Sequence, residues 1–539
     1  MKRLGKVLTV LLAVSLVMSA GAAEAQASGV VKKNTLTAAA KGYSLAFDTA
    51  SYSSVTFTVN GTDIPVRAYE NIVYVRYPVD TTYETMNVYI PEAYFQGGSV
   101  NGYTAETAPV FFRNTVAAYM PGKALSLTET DSGAGDMPAM GGGMPAGGDL
   151  GGMPAGGAMA SADGTPLPSM GGGGTSDSDN MKQVLMQGYV LACPGARGRT
   201  TTSSDGKTYT GKAPAGLVDL KAAVRYLRYN DSVMPGSAEK IITDGTSAGG
   251  AMSALLGATG NNSAYAPYLE ELGAASGRDD VFASLDYCPI INLENADTAY
   301  EWQYAGLSSS SGFGGAKTFS GEELERSAEL SSMFPAYVNS LNLKAPDGSA
   351  LTLDDNGNGS FKEYIKSYVI CSAQQALDAG TDLSAADYLT IEDGKVTDVD
   401  FAAFNAATGR QKSVDAFDAL DLSAGENSEF GTASVDKQHF TQYGLSHSTV
   451  SGSTIADQNL IRIMNPMSFI GQSGNTVAPN FRIRYGTADS NTSEAIEMLF
   501  AAKLQNNGAN VDIAFPWGVG HSGDYDFDTL FPWIDGLCR

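Results

Sequence analysis

The segment that most constrains this chain is Lys240-Ile-Ile-Thr243, followed by Gly245-Thr-Ser-Ala-Gly249 and a small, apolar stretch from Ala248 to Leu256. The first run reads as a short buried strand and the last as a helix, so the Gly-x-Ser-x-Gly pentapeptide falls on a strand-to-helix turn. In a chain this rich in Gly and Ser the pentapeptide alone carries little weight, and its position decides its meaning. So sharp a turn leaves no room for side chains at Gly245 or Gly249, and it exposes Ser247 with the amide of Ala248 beside it.

The same grammar continues on both sides. Tyr189-Val-Leu-Ala192 is a strand, and Leu217, Leu220, Val224 and Leu227 follow at helical spacing. Near the C-terminus Phe481-Arg-Ile-Arg-Tyr485 is a strand, Ile496, Leu499, Phe500 and Leu504 mark a helix, Val511-Asp-Ile-Ala-Phe515 is a strand, and a last helix begins near Tyr525. Strands alternating with helices predict an α/β chain with a parallel sheet and crossovers. The start is strand-rich: Ser54-Val-Thr-Phe-Thr-Val59, Ile72-Val-Tyr-Val-Arg-Tyr77 and Met86-Asn-Val-Tyr-Ile90 alternate with period two. Residues 291–464 are helical, loop-rich and acidic in stretches. An insertion so late in a sheet fold predicts a lid over the strand ends, where ligands bind. The expected core therefore comes in two parts, 34–290 and 465–539, with a lid domain at 291–464.

Met1, Lys2, Arg3 and Lys6 precede an apolar run from Val7 to Met18 and small residues from Ala22 to Ala27. This predicts a signal peptide over 1–27, with cleavage after Ala25 or Ala27, and hence a secreted, extracellular protein. No second run approaches the ~20 residues needed to cross a bilayer. The formal charge is −24 although this leader is net basic, which disfavours nucleic acid and anionic membranes as partners. The excess of glycine, 62 in all, concentrates in residues 133–175, a Gly/Met/Pro-rich tract with no apolar period. Such a tract predicts a flexible insertion, its methionines being soft-metal donors of a commoner low-complexity kind. Cys193, Cys288, Cys371 and Cys538 lie far apart with no metal-ligand spacing, so either one bridge or buried free thiols fit.

A serine hydroxyl needs a base at neutral pH, and histidine is the usual one. The chain has three. His521 lies immediately beyond a strand, in Phe515-Pro-Trp-Gly-Val-Gly-His-Ser-Gly-Asp524, whereas His439 and His447 fall in the expected lid and read as surface or lid residues. The order Ser, Asp, His then directs attention to the loop after the preceding strand, Tyr485-Gly-Thr-Ala-Asp489, where Asp489 would orient the imidazole. Asp512 lies within a strand and reads as structural. A second oxyanion donor beside Ala248 is expected from the loop after Val110-Phe-Phe112, at Thr115, Val116 or Ala117, with the inward-pointing amide left open. These residues predict a serine carboxylesterase acting on a small-molecule ester without a cofactor. A serine peptidase of similar build is disfavoured, because the propeller repeats of about 40–50 residues many carry are absent. A non-catalytic surface protein of this fold is the other alternative.

Several ordered segments carry a family resemblance: Arg67-Ala-Tyr-Glu-Asn-Ile-Val-Tyr-Val75, Tyr119-Met-Pro-Gly122, Pro194-Gly-Ala-Arg-Gly-Arg199, the Ser247 turn, and His521-Ser-Gly-Asp-Tyr525. Through them the chain resembles bacterial (subtype B) tannases, in the tannase and feruloyl esterase branch of the α/β-hydrolases. The likeness spans nearly everything after the leader except the Gly/Met/Pro tract. It implies an α/β-hydrolase sheet with a large inserted lid domain and the triad Ser247, Asp489 and His521. It also implies that a lysine and a glutamate from the lid, matched by Lys412 and Glu426, read the hydroxyls of a galloyl ring. An aspartate two residues after the triad acid completes that set in the family, and here Asn491 stands in its place. The amide lacks the charge but still accepts a hydrogen bond, so a less hydroxylated phenolic ester is a reasonable substrate beside a galloyl one. Separately, Asp354-Asp-Asn-Gly-Asn-Gly-Ser-Phe361 offers oxygens at Asp354, Asn356 and Asn358 in the manner of a calcium loop, but Ile365 stands where a bidentate Glu is needed. An Asx-rich turn is the simpler reading.

Overall fold

The computed structural model describes residues 42–128, 177–312 and 315–539. The expected signal peptide and the Gly/Met/Pro tract at 133–175 lie outside the described residues. Tyr43–Arg539 form one compact unit.

In chain order the first strands are β1 (Ser53–Val59), β2 (Thr62–Val73), β3 (Thr85–Pro91) and β4 (Pro109–Arg113). Helix α1 (Asp177–Met186) precedes β5 (Val190–Pro194), α2 (Ala215–Tyr229), β6 (Ser237–Thr246), α3 (Ala248–Ala258), α4 (Ala266–Glu271) and β7 (Ala283–Tyr287). The insertion holds α5 (Leu293–Gln303), a hairpin of β8 (Ser309–Gly312) and β9 (Gly315–Thr318), α6 (Gly321–Ser340) and α7 (Ser360–Asp378). A second hairpin, β10 (Leu389–Glu392) and β11 (Lys395–Val399), leads to α8 (Phe401–Thr408), α9 (Gly425–Glu429), α10 (Gln442–Ser446) and α11 (Gln458–Ile463). The chain closes with β12 (Asn480–Arg484), α12 (Glu494–Asn506), β13 (Asn510–Ala514) and α13 (Phe527–Cys538).

Nine strands form one sheet in the order β1-β2-β3-β5-β4-β6-β7-β12-β13. The first three and β5 pair antiparallel, and from β5 onward every pairing is parallel. Every residue of β3, β4, β5, β7 and β12 is buried, as expected of central strands covered on both faces. The edge strand β1 instead alternates towards its end.

The sheet departs from the sequence reading in two elements: β7 carries no expectation of its own, and β2 is longer than expected. The expected strand at 72–77 is the tail of a longer β2 that begins at Thr62, directly after a two-residue turn at Asn60 and Gly61, both at positive φ. The register against β3 slips between Tyr69 and Ile72, where Asn71, at φ 61°, donates its amide to the Asn87 Oδ1. Residues 74–77 leave the sheet, and Val75 makes only an isolated bridge to Ala274.

The insertion is bolted to the sheet. α5 packs against both α6 and α12, and on α5 the wholly buried Glu301 receives a bidentate pair from Arg410, at 2.8 and 2.7 Å. A capping box of Ser320 and Glu323 starts α6. In the candidate calcium loop the Asp354 Oδ1 accepts the amides of Asn356 and Asn358, and the Lys362 ammonium lies 3.1 Å from the Asn358 Oδ1. The carboxylate is spent on its own backbone and a cation already sits on the neighbouring oxygen, so this is an Asx turn. No disulfide joins the four cysteines, of which three are buried and Cys371 is exposed.

Candidate active site

Ser247 stands between β6 and α3 at φ 62° and ψ −122°. A residue with a side chain is rarely held there, and such strain persists where neighbours over-determine it. They do here: the Ser247 amide donates to the Tyr287 carbonyl at 2.9 Å, and the Ser247 carbonyl accepts from Ile290 at 3.1 Å and Ala251 at 2.9 Å. A Cβ on Gly245 would lie 2.3 Å from the Gly249 carbonyl oxygen, and one on Gly249 would lie 2.6 Å from that of Val116. Both glycines are therefore obligatory.

His521 lies on the loop between β13 and α13, its side chain 18% exposed, and its Nδ1 is 2.8 Å from the Oδ2 of the fully buried Asp489. The other carboxylate oxygen of Asp489 accepts the Asn491 amide at 2.8 Å, so both are engaged. The acid loop is held by tyrosine hydroxyls: Tyr485 donates to the Asp489 carbonyl and Tyr300 to that of Ser490, each at 2.7 Å. With Nδ1 taken by Asp489, the Nε2 of His521 is the nitrogen left to act on a proton.

Close contacts bring the two loops together. A Cβ on Gly523 would fall 1.9 Å from the Thr246 Oγ1, so the loop passes against the β6 turn one residue from Ser247 and two from His521. Arg113, at the end of β4, clamps the same place, reaching Asp524 at 2.9 Å and Asp244 at 3.3 Å from within the core. Buried beneath, Cys288, at φ 38°, places its sulfur within 4.8 Å of both an Asp489 carboxylate oxygen and a His521 ring nitrogen. Among the described residues this is the one such group of potential metal ligands. Burial pushes the Cys288 thiol up, so it stays protonated and is a poor metal ligand.

A cleft of about 730 Å³ opens over this floor. Ser247 and Ala248 line it, and from the β4 loop so do Ala118 and Tyr119. Thr115, Val116 and Ala117, the expected positions of the second oxyanion donor, are not among its lining residues. The Val116 amide is committed to the Asn114 Oδ1 at 3.2 Å, and the Thr115 hydroxyl to the Lys123 carbonyl at 2.7 Å. The chain turns towards the cleft only afterwards, at Ala118 (φ 49°) and Tyr119 (φ 56°). Their carbonyls are held by Arg199, through its Nε at 2.9 Å and its amide at 2.8 Å. No regular pattern in sequence betrays two consecutive left-handed residues that are not glycine.

The opposite wall comes from the insertion and brings Lys412, Glu426 and Asn491 into one cleft. The Lys412 ammonium lies 3.8 Å from the Glu426 Oε1 and 3.7 Å from the Phe417 ring centroid. Its backbone is pinned by Arg410, which donates to the Lys412 carbonyl, and by the Tyr300 hydroxyl, which accepts the Lys412 amide. Glu426 lies in the first turn of α9, and the next residue, Asn427, ties that helix to Asp418 at 2.7 Å. Asp418 in turn meets the Nδ1 of His439, whose Nε2 reaches the Ser448 Oγ at 2.8 Å. His439 is wholly buried, not a surface histidine: it is a strut behind the cleft wall. His447 is exposed and stacks on Tyr443. Asp512 pairs with Arg484 and Arg482, as a structural acid would. Among the described residues no helix is long and apolar enough to cross a membrane.

Sheet order, strained serine turn and acid–histidine pair together define an α/β-hydrolase. The BD-FAE family model matches residues 171–336. The native tannin acyl hydrolase from Lactobacillus plantarum is 40% identical, with a TM-score of 0.82 over 92% of this chain and 99% of that one. The tannase of Fusobacterium nucleatum is 42% identical, with a TM-score of 0.79 over 92% of this chain and all of that one. A tannin acyl hydrolase in complex with ethyl gallate superposes equally well, at 40% identity and a TM-score of 0.82 over 92% and 99% of the two chains. No curated protein matches. The chain belongs to the bacterial tannase family.

Proposed function

We propose that this protein is a secreted serine carboxylesterase that hydrolyses esters of phenolic acids. The observation that carries the proposal is the strained Ser247 in a cleft whose far wall offers Lys412 and Glu426, with the Asp489–His521 pair on a loop that packs through Gly523 against the Ser247 turn. Kinship with tannin acyl hydrolases, one of them complexed with ethyl gallate, supports the ester class.

In this mechanism the Ser247 Oγ attacks the ester carbonyl while the His521 Nε2 takes its proton, and Asp489 stabilises the imidazolium that forms. Negative charge on the tetrahedral oxygen rests on the Ala248 amide, at the start of α3, and on the Ala118 amide across the cleft. His521 then protonates the leaving alcohol, and water repeats the sequence to free the acid. The insertion acts as the lid that supplies recognition, with Lys412 donating to ring hydroxyls and Glu426 accepting from them. Ser247→Ala tests the reading: turnover of phenolic esters and labelling by a serine-directed phosphonate should both disappear. Turnover at the wild-type rate would overturn it. N-terminal sequencing of protein from culture medium should find the mature chain starting at Gln26 or Ser28.

A further inference from the structure

The acid loop and the insertion meet at a pair of side-chain amides. The Asn491 Nδ2 donates to the Gln411 Oε1 at 2.6 Å, and both residues line the cleft beside Lys412. Their backbones are fixed independently. Asn491 hangs from the Asp489 carboxylate by its own amide, while Gln411 lies between the buried Arg410 and the pinned Lys412. Among the described residues nothing else takes up the remaining polar capacity of either side chain. An amide carries one acceptor oxygen and two donor hydrogens. After the mutual bond the pair therefore keeps three N–H donors, one free carbonyl oxygen and a second lone pair on the bonded oxygen. Reversing both amides would exchange which residue presents the acceptor but would leave that inventory unchanged.

The consequence concerns the acyl ring. Lys412 offers donors only and Glu426 acceptors only, and together they are neutral. The amide pair adds no charge and is rich in donors. A carboxylate in its place would accept from ring hydroxyls and repel an oxygen that has no hydrogen to give. The amide pair instead donates to such an oxygen. Resting on the ester-hydrolase reading above, we infer that the Gln411–Asn491 pair selects phenolic acyl groups that bear a methoxyl beside a hydroxyl. The hydroxyl is held by Lys412 and Glu426, and the ether oxygen accepts an N–H from the pair. The substrate class is then an ester of a methoxylated hydroxybenzoic acid rather than of a fully hydroxylated one.

The test compares kcat/KM for methyl vanillate and methyl gallate in the mature wild-type protein and in Gln411→Glu and Gln411→Met. The ratio of the two esters is independent of how much of each preparation is folded. The wild type should cleave methyl vanillate at least as well as methyl gallate. Gln411→Glu, which removes donors and adds charge, should lower the vanillate-to-gallate ratio about tenfold or more. Gln411→Met, similar in size and without hydrogen bonds, should lower it less, mainly through KM for the vanillate ester. A wild type that prefers gallate, or a ratio unmoved in both variants, would overturn the inference and leave the phenolic esterase standing. A wild type that is labelled by the phosphonate but cleaves neither ester would overturn the phenolic-ester reading itself, and this inference with it.

Discussion

Behind the proposed catalytic acid two carboxyl groups are buried without a hydrogen-bond partner, and they make the stability of this protein depend on pH in a definite direction. Glu494 and Glu497 lie on the first turn of α12, at 1% and 0% exposure. Burial raises the Glu494 carboxyl from 4.5 to about 8 and pushes Glu497 well above the usual carboxylate range. The helix N-terminus favours the charged form by about 0.3–1 kcal/mol. Desolvation opposes it with more: at about 1.4 kcal/mol per tenfold in proton affinity, the Glu494 displacement amounts to roughly 5 kcal/mol. The folded state holds this proton more tightly than the unfolded chain does. The stabilisation is therefore complete below pH 4.5 and is lost as pH rises through about 8. Glu494→Gln keeps the shape and removes the ionisation. In urea unfolding followed by tryptophan fluorescence, wild type and variant should be close near pH 4.5. By pH 8.5 the variant should be the more stable by several kcal/mol. Parallel curves for the two proteins from pH 5 to pH 8.5 would refute the assignment of a buried neutral Glu494.

Asp489→Asn leaves the loop geometry in place but offers the imidazole the wrong partner, so kcat should fall about ten-thousand-fold with little change in Tm. Gly245→Ala drives a methyl group against the Gly249 carbonyl at 2.3 Å, and backbone there has nowhere to go. Overpacking of this kind costs about 1–3 kcal/mol, read by urea unfolding, and any soluble protein should show a larger loss of ester turnover than of stability. His439→Ala deprives the buried Asp418 of one of its hydrogen-bond partners and should cost about 1–3 kcal/mol. Because Asp418 also anchors Asn427, beside Glu426, KM for a phenolic ester should rise while kcat changes less.

What could be read in the sequence follows from how local each signal is. The Ser247 turn was visible because a β-branched strand, two obligatory glycines and a helix are consecutive in the chain. His521 was visible because only three histidines exist and one of them follows a late strand. The start of β2 escaped although it carries a local signal, the Asn60-Gly61 pair whose positive φ values suit a two-residue hairpin. Ala118 escaped because its left-handed backbone is imposed from outside, by Arg199 gripping carbonyls 80 and 81 residues away, and leaves no period behind. Lys412, Glu426 and Asn491 came into view only through family resemblance. Gln411 stayed hidden because its partner is 80 residues distant and an amide in a loop has no characteristic neighbours.

These differences mark a physical division within the site. The residues proposed for chemistry sit on turns at the ends of β4, β6, β12 and β13, where parallel ladders hold the backbone and one glycine or one positive φ sets the geometry. The residues proposed for recognition come mainly from the insertion, whose position depends on side-chain struts: Arg410 to Glu301, Tyr300 to Lys412, and Asp418 to His439 and Asn427. A strut can lengthen by a few tenths of an ångström without unfolding the sheet. Weakening the struts should therefore shift KM and the choice between acyl groups, whereas changes at the strand ends should act on kcat. Asn491 joins the two systems, with its backbone amide on the catalytic acid and its side chain on Gln411. A substitution there that reaches only the side chain should alter selectivity with kcat on the preferred ester nearly intact, because the amide that steadies Asp489 belongs to the main chain.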